Sequence, residues 1–179
     1  MKHLLGTGKE LSARRSATLA LRIALAADHR GYEAKCRVAP LLKQAGHEVI
    51  DFGCSGVASC DYIDYAVPAS RAVVEGKADV AILLDGSGLG MSIAANKVRS
   101  IRAALAHDEI TARIARENNH CNVLCLGSDL LSEAQIRKII HTFLSTPYGE
   151  GRHARRVQKL HAIEMEELVT ASRRLVSTR

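Results

Sequence analysis

Aromatic residues are scarce: four Tyr and two Phe make up 3% of 179 residues, and there is no Trp. That counts against the stacked aromatic platforms that hold single-stranded nucleic acid. Long apolar runs are missing too. None approaches the roughly 20 residues a bilayer-crossing helix needs, so a membrane-spanning helix is excluded. Nor does one sign of charge run through the chain. The net charge is +6, but residues 1–22 carry five bases and one acid (+4), and residues 152–179 carry seven and three (+4). The stretch between them has 13 bases and 15 acids, or −2. A nucleic-acid coat would carry its basic charge on the folded body. The pattern here reads as a solvated tail and a basic terminal helix, with neither nucleic acid nor membrane as a partner.

The five cysteines (Cys36, Cys54, Cys60, Cys121 and Cys125) are an odd number, and no two pairs have zinc-ligand spacing. Arg14, Arg15 and Arg22 interrupt any apolar stretch of signal-peptide length in the first 22 residues. A reducing, cytoplasmic setting follows as the expectation, with no metal and with the thiols used as small buried hydrophobes.

What the chain does have is 47% hydrophobic residues and enough length to bury one core. Residues 1–21 read as a flexible N-terminal extension and 22–179 as a single domain. Short apolar runs alternate with amphipathic stretches. Strands are predicted at Arg22–Ala27, His47–Phe52, Ala78–Leu84, Ile101–Ala106 and Asn122–Leu126. Helices are predicted at Tyr32–Ala45, Asp64–Glu75, around Ser92–Lys97, at Asp108–Glu117 and at 132–145 and 153–176. Such alternation implies an α/β fold: a doubly wound, Rossmann-like, five-stranded parallel sheet with helices on both faces, ordered 2-1-3-4-5. The last helix follows a completed sheet. Its stripe of Val157, Leu160, Ile163, Leu168, Leu175 and Val176 could cover that sheet or cross to another subunit.

Ligands of doubly wound sheets gather at the carboxyl ends of strands flanking the reversal of winding, here the first and third. Those exits carry Asp28-His29-Arg30-Gly31 and Asp85-Gly86-Ser87-Gly88-Leu89-Gly90. The second is a strand, a glycine turn and a helix, whose N–H groups can cradle an anion. It lacks the spacing of a dinucleotide fingerprint and the Lys-Ser or Lys-Thr of a Walker loop. Taken singly, Asp28 is equally readable as a helix cap and His29 as a surface residue.

Together with Asp61-Tyr62, the run Gly86 to Lys97 (GSGLGMSIAANK), Asn122-Val123-Leu124 and Gly151-Arg152-His153, these segments resemble the type B ribose-5-phosphate isomerases. That family includes the galactose-6-phosphate isomerase subunits, and the resemblance covers residues 22–165. It implies a cofactor-free aldose–ketose isomerase of phosphorylated sugars, a homodimer with shared active sites, working by proton transfer through a cis-enediolate. Whether dimers pair into a tetramer stays open. By position, Gly86, Ser87, Gly88 and Gly90 would cradle substrate and oxyanion. Asp28, His29 and Tyr62 would hold hydroxyls or assist ring opening. Asn119 would reach in from the partner subunit, and Arg152 and Arg156 would bind phosphate.

Four positions depart from the family pattern. Asp85 replaces the usual catalytic Cys, and Met91 stands where another branch has a Glu base. Asn118 replaces the ring-opening His, leaving His107 and His120 as nearby substitutes, with His120 read as a surface imidazole. Asp129 replaces a phosphate-binding Arg. Asp85 is expected to be the general base; the plainer reading makes it a helix cap or a hydroxyl acceptor. Asp129 either faces solvent, caps the helix at 132, or exchanges phosphate affinity for hydroxyl recognition. A non-catalytic sugar-phosphate binder and an isomerase of an unphosphorylated sugar are the competing functions. Lys97 and Asn96 are read as securing the end of their helix.

Overall fold

The computed structural model describes residues 20–177; the extension read at 1–21 lies outside them except for its last two residues. Five parallel strands form the sheet: β1 (Arg22–Ala27), β2 (Glu48–Asp51), β3 (Val80–Asp85), β4 (Ala103–Leu105) and β5 (Val123–Gly127). Between and after them run α1 (Tyr32–Gln44), α2 (Ile63–Val74), α3 (Leu89–Ala95), α4 (Glu109–Asn119), α5 (Glu133–Ser145) and α6 (Arg152–Ser177).

The strand order is β2-β1-β3-β5-β4. This corrects the predicted 2-1-3-4-5, which took consecutive strands as neighbours. Burial explains the exchange. β5 is buried along its whole length, whereas the three residues of β4 are only half-buried. The more apolar strand takes the interior and the shorter one the edge, where unpaired backbone is best kept brief. The reversal between β1 and β3 is untouched, with Ala27 opposite Leu84.

Alternation along the strands splits the core in two. Ile23, Leu25, Ile82 and Leu84 face α1, α4 and α5 in one cluster centred on Phe143. Ala24, Ala26, Ala81 and Leu83 face α2 and α3 across a layer dominated by alanine. Local chemistry places the helix ends. Gly46, at φ +90°, closes α1, with its N–H donating to the Lys43 carbonyl. Asp108 with Thr111 and Ser132 with Gln135 form capping boxes on α4 and α5. Asn96 ends α3 as expected; its amide donates to the carbonyls of Ser92 and Ala103 and accepts from the Ala103 N–H, each at 2.9 Å.

α6 packs along α4, and Glu164 accepts the Ser100 N–H at 2.6 Å. Leu160, Ile163, Met165, Leu168 and Val169 remain exposed on it. The side chains of Leu175 and Val176 lie outside the described set.

The junction of β1 with α1 leaves no space at Gly31. A Cβ there would be driven into the Leu84 carbonyl, with the carbonyl carbon only 2.5 Å away. Gly31→Ala should therefore destabilise the fold by about 1–3 kcal/mol, the usual cost of overpacking. Chemical denaturation would check this, a midpoint equal to wild type being the contrary result.

Candidate active site

The exits of β1, β3 and β5 meet at one edge of the sheet. Asp28 and Asp85 are both buried there, 5% and 4% exposed. Asp28 accepts the N–H groups of Arg30 and Gly31 at 2.9 and 3.0 Å, and its own N–H reaches the Leu84 carbonyl. It thus ties the turn ahead of α1 rather than capping the helix as one reading expected, because the N-cap position is Gly31 and no side chain caps it. His29 is half-buried, and its Nδ1 accepts the Cys60 N–H at 3.3 Å. A neutral ring bonded in this way carries its proton on Nε2. Tyr62 begins α2 and lays its ring against Gly90, where a Cβ would stand 2.9 Å from Cζ.

The loop that presents Cys60 and Tyr62 is anchored by a buried lysine. Lys35 Nζ donates to both Asp51 carboxylate oxygens, at 3.0 and 2.9 Å, and to the Cys54 carbonyl at 2.7 Å. Ser128, after β5, ties the three exits together. Its N–H and hydroxyl both donate to the Asp85 carbonyl, and the hydroxyl also reaches the Arg30 carbonyl.

Asp85 ends β3 and turns its carboxylate back into the glycine turn. Oδ1 accepts the N–H groups of Ser87 (3.0 Å) and Gly88, and Oδ2 accepts that of Met91 at 3.2 Å. Gly88 adopts φ +80°, a conformation glycine takes without strain. The carboxylate therefore caps the turn and the start of α3. Two donors expected to cradle an anion are already engaged by the protein's own acid.

Burial pushes Cys121 up to about 11 and holds Cys125 well above the ordinary thiol range, Asp85 adding to the latter shift. The reading of all five cysteines as buried hydrophobes needs correcting. Cys54, Cys121 and Cys125 are buried, but Cys36 is exposed and Cys60 lies half-buried beside His29. Cys36 falls on the outer face of its helix, which alternation alone did not reveal.

Asp129 neither stands free in solvent nor caps α5, since Ser132 does the capping. Its Oδ2 accepts both Nε (2.7 Å) and Nη2 of Arg30. Arg30, though part of the Asp-His-Arg-Gly segment, had no role assigned from the sequence.

The remaining candidates lie elsewhere. Each helix after a strand returns from the exits to the opposite edge of the sheet, so α4 delivers Asn118 and Asn119 away from the glycine turn. The Asn119 carbonyl accepts Arg102 Nε, at the entrance to β4. The α5–α6 link docks at that same edge, through the Gly149 N–H to the Glu117 carbonyl at 2.9 Å. His120 is not a surface imidazole. It stacks on Tyr148, with ring centroids 4.5 Å apart, and its Nε2 donates to the Gly149 carbonyl at 2.6 Å. The Arg116 guanidinium lies between the rings of Phe143 and Tyr148. This packing fixes the start of α6, and with it Arg152 and Arg156. His107 is exposed, and its backbone N–H bonds Thr111.

Two clusters thus form at opposite edges of one sheet, eight of the expected residues around the glycine turn and four (Asn118, Asn119, Arg152 and Arg156) at the other edge. Residues 23–160 match the Ribose/Galactose Isomerase family. The chain belongs to that family. Among ribose/galactose isomerases, the Mycobacterium tuberculosis ribose-5-phosphate isomerase B is 40% identical over 146 residues, covering 80% of this chain and 90% of that one. The structure of Clostridium thermocellum ribose-5-phosphate isomerase B aligns with a TM-score of 0.80 at 42% identity, over 82% of this chain and 99% of that one. For the Trypanosoma brucei type B enzyme the values are 0.78 and 44%, over 81% and 99%. The α/β architecture is therefore that of the ribose/galactose isomerases.

His120→Ala should loosen the start of α6 without disturbing β3. Losing a stacked pair and a hydrogen bond costs on the order of 1 kcal/mol. Amide exchange at Gly149 should accelerate several-fold while exchange at Leu83 stays unchanged; equal protection in both proteins would remove the docking role.

Proposed function

We propose that the protein is a sugar-phosphate isomerase that interconverts an aldose and a ketose without a cofactor, as a cytoplasmic homodimer with composite sites. What carries this reading is the meeting of Asp28, His29, Tyr62, Asp85 and the glycine turn at the β1/β3 reversal of a ribose/galactose isomerase fold. Ribose 5-phosphate is the first substrate to try, and related tetrose to hexose phosphates follow.

In the proposed reaction His29 Nε2–H protonates the ring oxygen as the sugar opens, and the same nitrogen recovers a proton from the anomeric hydroxyl. Asp85 Oδ2, which accepts one backbone bond and keeps a lone pair, takes the proton from the carbon beside the carbonyl. The charge that develops on the enediolate oxygens is met by Ser87 and the remaining turn donors. Asp85 then returns the proton to the neighbouring carbon as the hydroxyl proton passes between the two enediolate oxygens, so the carbonyl moves by one carbon with no net gain or loss of protons. Arg152 and Arg156, four residues apart on one helix, converge on the phosphate. They and Asn119 stand at the far edge of their own sheet, so a second copy must bring them to the turn. The exposed apolar residues of α6 suit such a crossing. Asn118 stands next to Asn119 and would assist as a hydrogen-bond donor.

One observation favours a second reading. The Asp85 carboxylate already caps the turn, which suits a binder that has given up catalysis. Proton exchange separates the two. A panel of tetroses, pentoses and hexoses, with and without phosphate, incubated in deuterated water, should show deuterium entering the carbon beside the carbonyl of one phosphorylated sugar. Binding without exchange would leave the non-catalytic reading.

Asp85→Asn should lower kcat by about 10²–10⁴, the usual worth of a general base, with inorganic phosphate affinity within a few-fold. Wild-type-like turnover would move the base elsewhere. In mixed dimers, co-expressed Asp85→Asn and Asn119→Ala chains should recover part of the activity that each lacks alone. A fully active monomer in sedimentation would contradict the shared site.

A further inference from the structure

We infer that Arg30 is a substrate-phosphate ligand, aimed by Asp129, and that this pair takes over the work of the arginine the family usually places at the β5 exit. The inference rests on the phosphate reading above. Arg30 leaves β1, yet its guanidinium crosses the glycine turn to the β5 exit, where Asp129 grips Nε and Nη2. The crossing depends on Gly86. A Cβ there would stand 2.5 Å from Arg30 Nε and 2.6 Å from Asp129 Oδ2, so only a glycine lets the pair lie flat on the turn. The Arg30 backbone is held as well, by Asp28 at its N–H and by Ser128 at its carbonyl.

Nη1 makes no bond among the described residues, and the side chain is 59% exposed. A guanidinium whose Nε and Nη2 are clamped is a fixed donor with its outer N–H groups still free for an anion. It lies against Gly86, the first residue of the turn. Asp129 thus spends its carboxylate on arginine, which leaves little for the hydroxyl recognition considered from the sequence. The pair is neutral overall, so this phosphate subsite relies on donor geometry more than on accumulated charge.

Calorimetry with inorganic phosphate on the full chain tests this without turnover. Arg30→Ala should weaken binding about tenfold or more, the worth of one charge-assisted hydrogen bond, and should raise KM for the phosphorylated sugar more than it lowers kcat. Arg30→Ala with Asp129→Ala removes the carboxylate that the single variant unmasks, and should stay weak. Arg30→Ala with Asp129→Arg returns a guanidinium from the β5 side and should recover most of the affinity. Wild-type phosphate affinity in the double alanine variant would overturn the direct contact, leaving only charge masking. If the wild-type protein itself bound no phosphate, the sugar-phosphate reading would fall first and this inference with it.

Discussion

Everything at the functional edge depends on how closely β1 and β3 leave the sheet together. Gly31 lies flat on the Leu84 carbonyl, and that carbonyl also accepts the Asp28 N–H. Any side chain at Gly31 would push α1 away from β3. Asp28, His29 and Arg30 would then no longer face the turn that follows Asp85. The two exits act as one surface because a hydrogen atom stands where other residues carry a carbon. Ser128 extends the same surface to β5, so three strands contribute to one rigid floor.

Much of this was legible in sequence. Short apolar runs set between amphipathic stretches located the five strands, and the doubly wound order beginning 2-1-3 placed the winding reversal between the first and third. The exchange of β4 and β5 was not legible, because adjacency in a sheet follows burial across the whole layer rather than order along the chain. His120 escaped for a similar reason. Its partner Tyr148 lies 28 positions away, and no local pattern announces a stacked pair. Arg30 and Asp129 are 99 positions apart. Only the fold shows that the unexpected acid and the unassigned base belong to one another.

The glycine turn shows how one residue type can serve stability and chemistry in conflict. Each N–H that Asp85 engages is a backbone donor satisfied within the fold, which stabilises a left-handed residue and a short helix. Each is also a donor no longer pointed at a ligand. A cysteine at that position would accept such bonds only weakly and leave the turn more open. An Asp where the family resemblance implies a Cys therefore gives the turn a different rigidity and polarity.

The two faces of the sheet differ in what they can tolerate over evolutionary time. On the α2–α3 side, nine of the fourteen buried residues are alanine. Alanine leaves almost nothing to shorten, so variation there can proceed only by enlargement, which forces helix from sheet. The opposite face is built around Phe143 with Leu and Ile, which can trade volume among themselves. Sequence drift should thus be freer beneath α1, α4 and α5. The alanine seam, which seats α2 and the Tyr62 at its start, should change slowly even at positions remote from any substrate.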